Sequence, residues 1–321
     1  MKFNVRGWEI EDAFSEGGQG WAYRVRRIGV ADDQLFVLKR LKNKSRLARF
    51  NQEIGALKKL SHPGILKIVA TAADDEEPFY VAEYCEKGSL DKFDLSGFSL
   101  LERLLLFRGI CEAVSAAHNA QIIHRDLKPP NILMRNDNSV AVGDFGLCLD
   151  LNDMEERATA SSEAVGARHY IAPELEDGRS ADPKASSDCY SLGKLLYYIF
   201  GGRSFSRERH RDPEYDLTAK NSNPYLHFVY ELLDRTITQD ATQRFQNAEE
   251  LTRALTGVIM KVEQNAHVLD MRVEQPCLYC ISGRYQGYNS DTGSIRLKCN
   301  NCGNLQQFLV QEAQNQWWKK T

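Results

Sequence analysis

Long apolar runs are missing from this sequence. The longest, "LLLF" and "LLYYIF", fall far short of the ~20 residues that span a bilayer. A charge of one sign is missing too. Lys and Arg number 41 against 44 Asp and Glu, a formal net charge of −3, so no global field calls for nucleic acid or an anionic membrane. The opening "MKFNVRGWEIEDAF" has no apolar stretch of the signal-peptide kind. No internal repeat or low-complexity tract interrupts the 321 residues. These absences set the expectation of a cytoplasmic protein without membrane spans. Apolar residues at 42% and charged residues at 26% are ordinary for a folded chain with a sizeable core. In a reducing compartment the eight cysteines are not expected to form structural disulfides, and clustered ones bind metal or do redox chemistry.

What is present divides by period. Residues 8–40 alternate apolar and polar around a glycine cluster and end in "LFVLKRL", which predicts strands joined by a tight turn. From Ser45 to Leu60 the apolar residues Leu47, Phe50, Ile54, Leu57 and Leu60 recur at three and four, one face of a helix, which "HPG" stops. "ILKIVATAA" and "PFYVAEYC" read as further strands. Residues 99–120, "SSDCYSLGKLLYYIFGG", "YLHFVYELLDRTI" and "AEELTRALTGVIMKVEQ" read as helices. Strands in the first quarter and helices through the next half predict an α+β fold of two lobes. The periodicity fades around 263–275, which places a linker there, ahead of a cysteine-bearing segment at 276–312 and a tail at 313–321.

"FSEGGQGWAYRV", Phe14 to Val25, sets glycines where a turn would lie close against phosphates, although a glycine-rich hairpin alone is usually only a hairpin. Further on stand "HRDLKPPNIL", His124 to Leu133, and "VGDFGL", Val142 to Leu147. With Lys39 in "FVLK", Glu53 in "FNQEIGAL" and Ala172–Glu174 in "YIAPE", the ordered series resembles the eukaryotic-type serine/threonine protein kinases over residues 8 to about 260. The resemblance implies a bilobal protein-kinase fold. Its β-rich N-lobe would cover about 1–83, its hinge 84–88 and its mostly helical C-lobe 89–262. It implies ATP with Mg²⁺ or Mn²⁺ as cofactors, and Ser/Thr-bearing proteins as substrates. Lys39 would hold the α/β-phosphates and Glu53 would hold Lys39. Asp126 would accept the proton of the substrate hydroxyl, and Lys128 would steady the transferred phosphate. Asn131 and Asp144 would bind Mg²⁺ through oxygen. Around the nucleotide it places Ser15, Gly17, Gly18, Gly20, Ala22, Val37, Ala82, Glu83, Cys85 and Leu133. His124 and Phe145 would pack internally, Glu174 would pair with Arg244, and Asp188 would tie the catalytic loop to the following helix. In relatives with an Arg before the catalytic Asp, as Arg125 here, a phosphate on the activation segment often pairs with it. Thr159, Ser161 and Ser162 are thus candidates for autophosphorylation.

The chain departs from the pattern in places. Ser15 takes the place of the first glycine. Ala22 and Val37 nearly cancel in volume where Val and Ala are usual, which keeps the adenine slot its size. Ala82 stands at the gatekeeper position and predicts an open pocket behind the adenine. Ala167 replaces a threonine whose hydroxyl would contact Asp126 and Lys128, and Arg168 and His169 follow it. These changes keep open an alternative reading, a weakly active or pseudokinase-like nucleotide-binding scaffold.

Cys277/Cys280 and Cys299/Cys302, two Cys-x-x-Cys pairs separated by 18 residues, fit a small β zinc ribbon. So short a segment builds little core, and a structural Zn²⁺ with four protein thiolates would supply its folding energy. Disulfides and a redox dithiol are the alternatives. The ribbon's expected use is recruitment of a protein partner or regulation. A third reading makes it a nucleic-acid binder, which six Lys/Arg against five Asp/Glu from Glu263 onward oppose. Tyr285, Tyr288, Phe308, Trp317 and Trp318 are expected to cover its core or to dock. Cys85, Cys111, Cys148 and Cys189 lack metal spacing and read as buried small hydrophobes, with Cys148 the one reachable by oxidants.

Overall fold

Side chains along a strand face opposite ways in turn, and the first quarter of the chain uses both faces. The computed structural model describes residues 4–17, 20–30, 33–73, 77–145, 169–176, 184–219, 223, 225–263, 284–288, 294–302 and 305–309. Strands β1 (Asn4–Val5), β2 (Trp8–Gly17), β3 (Gly20–Arg27), β4 (Phe36–Leu41), β5 (Ile68–Ala72) and β6 (Phe79–Glu83) form one antiparallel sheet of order β1-β2-β3-β4-β6-β5. On one face Trp8, Val25, Phe36, Leu38, Phe79 and Val81 make a closed apolar cluster, with Trp8 edge-on to Phe36 at 5.2 Å. The opposite parity carries Lys39, Leu41, Tyr80 and Ala82. There Leu41, Tyr80 and Ala82 join the main core with Phe50 and Ile54 of helix α1 (Leu47–Lys59). The helix expected over 45–60 forms with its first turn as a 3-10 turn, Lys44–Arg46. The Asn43 side chain caps that turn by accepting the Ser45 N–H at 3.0 Å.

Helix α2 (Leu100–Asn119) starts on a capping box. The Ser99 hydroxyl accepts from the Glu102 N–H, and the Glu102 carboxylate accepts from the Ser99 N–H. A short hairpin follows, β7 (Ile132–Met134) and β8 (Val140–Val142). Then come α3 (Pro173–Glu176), α4 (Ala185–Gly201), α5 (Leu226–Asp234) and α6 (Ala248–Glu263). Helix α4 is buried nearly all round and ends at Gly202, whose φ of 66° is the left-handed cap that glycine adopts without strain. At Gly193 the chain comes so close that an added Cβ would lie 2.5 Å from the Thr236 Cβ. The apolar core runs without a break from α1 through α2 into α4, α5 and α6.

In the C-terminal segment, β9 (Tyr285–Tyr288), β10 (Ser294–Cys299) and β11 (Leu305–Leu309) form an antiparallel sheet of order β11-β10-β9. Among the described residues no helix is long and apolar enough to cross a membrane.

Candidate active site

Lys39 sits mid-strand on β4, paired across the sheet with Ala22 on β3 and Tyr80 on β6. The spacing that stripes α1 also brings Glu53 to the seam between helix and sheet. Lys39 Nζ donates to Glu53 Oε1 at 2.8 Å and Oε2 at 3.0 Å. The Tyr80 hydroxyl donates to Oε1 as well, at 2.8 Å. Burial alone would drive the ammonium toward neutrality, but Glu53, Tyr80 and Asp144 together hold its pKa well above the usual lysine range. Asp144, just past β8, lies 3.8 Å from Lys39 Nζ and takes a left-handed φ of 57°. Its Oδ1 is buried without a hydrogen-bond partner. Burial works against its charge, yet Lys39, Lys128, His124 and Arg49 keep the carboxyl below the ordinary aspartate range. A buried anionic oxygen with no donor on it suits a hard cation.

Between α2 and β7 the backbone of His124 and Arg125 is gripped by one carboxylate. Asp188 of α4 accepts the His124 N–H on Oδ2 and the Arg125 N–H on Oδ1, both at 2.8 Å. Its third partner is His118 Nε2 at 2.9 Å. His118 Nδ1 accepts the Ala248 N–H at 3.1 Å, so the proton resides on Nε2 and is donated to Asp188. Arg125 is thereby held at φ 66°, a conformation that costs a non-glycine residue about 1–3 kcal/mol and needs such bracing. His124 Nδ1 accepts the Asp126 N–H at 3.3 Å and Nε2 meets the Gly143 carbonyl at 2.9 Å, while its ring packs 4.6 Å from Phe145. Asp126 Oδ2 accepts from Lys128 Nζ at 2.9 Å and Asn131 Nδ2 at 3.1 Å, and Asn131 Nδ2 also reaches the Asp126 carbonyl at 2.7 Å. Both donors of the Asn131 amide group are thus turned to Asp126, which leaves its amide oxygen as an acceptor.

Across the β2–β3 hairpin Ser15 pairs with Ala22 and Gly17 with Gly20, and Val37 pairs with Ala82. Ala82 is only 1% exposed, and Tyr80, on the same face of β6, is buried in the main core. The Glu83 side chain turns away to Arg135 with two bonds of 2.8 Å and accepts the Lys67 N–H at 2.9 Å. Its backbone N–H is taken as well, donating to the Lys67 carbonyl at 3.0 Å. Cys85 is buried, and burial pushes its thiol up to about 12; Leu133 is half-buried. Deeper in the helical lobe, Arg244 grips Glu174 with bonds of 2.7 and 3.0 Å, and Ser187 donates to the same carboxylate at 2.8 Å. Burial opposes the Glu174 charge, but Arg244 and Ser187 keep the carboxyl below its usual range. His169 Nδ1 lies 3.0 Å from the Ser204 hydroxyl.

On the C-terminal sheet, Cys299 is 1% exposed, and its Sγ accepts the N–H groups of Asn301 and Cys302, each at 3.4 Å. Among the described residues no group of three or more His, Cys, Asp or Glu is set to hold a metal. Gly18, Cys148, Thr159, Ser161, Ser162, Ala167, Arg168, Cys277, Cys280, Trp317 and Trp318 lie outside the described residues. The side chains of Tyr285, Tyr288 and Phe308 do too. Sequence reasoning missed Tyr80, His118 and Arg135. For His118 a signal existed, a single histidine in the last turn of an otherwise apolar helix face.

The family described as the protein kinase domain matches residues 8–266. The chain is 29% identical over 256 residues to the probable serine/threonine-protein kinase PknB of Corynebacterium glutamicum, covering 74% of this chain and 38% of that protein. It is 30% identical over 241 residues to the serine/threonine-protein kinase PrkC of Bacillus subtilis, covering 72% and 35%. To the serine/threonine-protein kinase PknB of Mycolicibacterium smegmatis it is 33% identical over 187 residues, covering 56% and 28%. The chain spans less than two fifths of the length of these curated relatives.

Proposed function

The chain belongs to the protein kinase domain family, and from that premise we propose that it is a serine/threonine protein kinase, transferring the γ-phosphoryl group of Mg-ATP to hydroxyls of protein substrates. The observation that carries the reading is that Lys39 pairs with Glu53 and Asp144 while Asp126 bonds to Lys128 and Asn131, the two sets joined where the Gly143 N–H donates to the Asn131 carbonyl at 2.9 Å. Phosphoryl transfer is mainly positioning and charge neutralisation. Lys39, held by Glu53, binds the α/β-phosphates. Asp126 orients the acceptor hydroxyl and takes its proton. The acceptor oxygen bonds to the γ-phosphorus as the bond to the β–γ bridging oxygen breaks, and ADP leaves. Lys128 offsets charge on the group in transit. Asp144 Oδ1 and the Asn131 amide oxygen would hold Mg²⁺, which when bound neutralises phosphate charge.

The test is radiolabelled transfer by the purified full chain to protein substrates and to itself. Asp126→Asn is expected to lose roughly 10²–10⁴-fold in rate while still binding nucleotide, and a wild type without transfer sinks the reading. Mass spectrometry of the same incubation reads autophosphorylation at Thr159, Ser161 or Ser162, with Arg125 as the partner of the phosphate.

The second part of the proposal is a four-cysteine structural zinc site at Cys277, Cys280, Cys299 and Cys302 in a separate ribbon that recruits a protein partner, in a cytoplasmic enzyme. What supports it is the pair of N–H···S bonds on Cys299, which steady a thiolate ligand. Elemental analysis is expected to find about one zinc per chain, lost in Cys299→Ser. A zinc-free wild type with full activity would overturn it.

A further inference from the structure

Tyr80 meets both members of the Lys39–Glu53 pair. It stands directly across the β4–β6 ladder from Lys39, and the Lys39 ammonium lies 5.6 Å from the centre of its ring. Its hydroxyl donates to Glu53 Oε1 at 2.8 Å, the same oxygen that takes the shorter Lys39 bond. One turn earlier on α1, Phe50 stacks on that ring, with centroids 5.5 Å and planes 28° apart. Residues three apart share a helix face, so one side chain of the sheet grips the helix at two points. The carboxylate and the ring are dry, with Tyr80 at 3% and Glu53 at 2% exposure, while Lys39 stays partly open to the solvent side.

Packing alone asks only for phenylalanine here. A phenylalanine would fill the core and keep the stack on Phe50. The hydroxyl adds a donor to a buried carboxylate whose other partner is an ammonium needed at the phosphates. We propose that Tyr80 is a positioning residue: its hydroxyl, through Glu53, holds α1 in the arrangement that presents Lys39 to nucleotide phosphates before any nucleotide binds. The role of Lys39 in this proposal rests on the kinase reading. Without the hydroxyl the stack survives, but Glu53 is released in a fraction of molecules. Apparent nucleotide affinity then falls by the competent fraction, and saturating nucleotide restores that fraction.

The test is Tyr80→Phe in the full chain, read by Mg-ATP kinetics and by Mg-ADP titration. KM for Mg-ATP and Kd for Mg-ADP are expected to rise together by roughly three- to tenfold, with kcat at saturation within about twofold of wild type. A merely structural defect lowers the active fraction, so kcat falls while KM and Kd stay put. That outcome overturns the proposal, as do unchanged constants. In a Glu53→Ala background, which has no carboxylate to hold, Tyr80→Phe should leave the Kd for Mg-ADP within about twofold, and additive losses count against the mechanism. The titration needs no phosphotransfer, so a wild type that binds Mg-ADP tightly and transfers nothing would sink the kinase reading while this arm still decides the role of Tyr80.

Discussion

At the scale of single residues, a buried charge persists only where partners offset its desolvation. Asp188 is fully buried and has three partners: the backbone N–H groups of His124 and Arg125, and His118. Burial raises its pKa, but these donors outweigh it and hold the carboxyl below its ordinary value of 3.8. His118→Leu removes one donor from Asp188 and the acceptor of the Ala248 N–H, with an expected loss of about 2–4 kcal/mol in urea unfolding. The sign with pH follows from the depressed folded value. Asp188 contributes stability above the unfolded value of 3.8, and loses it as pH falls through the lower folded value. With His118 gone the folded value moves up and that contribution shrinks. Acid unfolding should therefore begin at a higher pH in the variant. An unchanged acid midpoint would show that His118 does not stabilise the anion.

At the scale of elements, what was legible followed from period. Leu47, Phe50, Ile54 and Leu57 mark the inner face of α1, and the structure buries Phe50, Ile54 and Leu57 there. Strand alternation likewise separates Phe36 and Leu38 from Val37 and Lys39. The cap of α2 lies in Ser99 and Glu102, three residues apart. The rest was hidden because it joins distant elements. A tyrosine on a central strand reads as core, and nothing in its neighbourhood tells that its hydroxyl meets a helix residue 27 positions away. Glu83 pairs with Arg135 across 52 positions, so a residue expected to face the nucleotide turns its side chain the other way. His118 reaches Ala248 across 130 positions. Periodicity reports which face is buried, and motifs report which residues do chemistry. Neither reports which buried polar groups satisfy one another.

At the scale of the whole molecule, local ionisations add into one stability curve, and Lys194 on α4 gives it an upward contribution above neutrality. The ammonium is buried, donates to the carbonyls of Phe205 and Arg207 at 2.7 Å each, and lies 3.6 Å from the centre of the Phe205 ring. Burial pulls it down to about 7, with Glu208 and Glu176 pulling the other way. In the unfolded chain the amine keeps its proton to about 10.5. Between those values the unfolded chain holds more protons, so this group makes the folded state gain stability as pH rises, by about 1.4 kcal/mol per pH unit once past the folded value. Lys194→Met removes the titration and leaves the histidines and carboxylates common to both proteins. In urea unfolding at pH 6.5, 7.5 and 8.5, the stability difference between wild type and variant should shift in favour of wild type with each step upward. Parallel curves would mean that the two carbonyls and the Phe205 ring keep Lys194 charged throughout, and that the lobe holds a permanent buried cation at its centre.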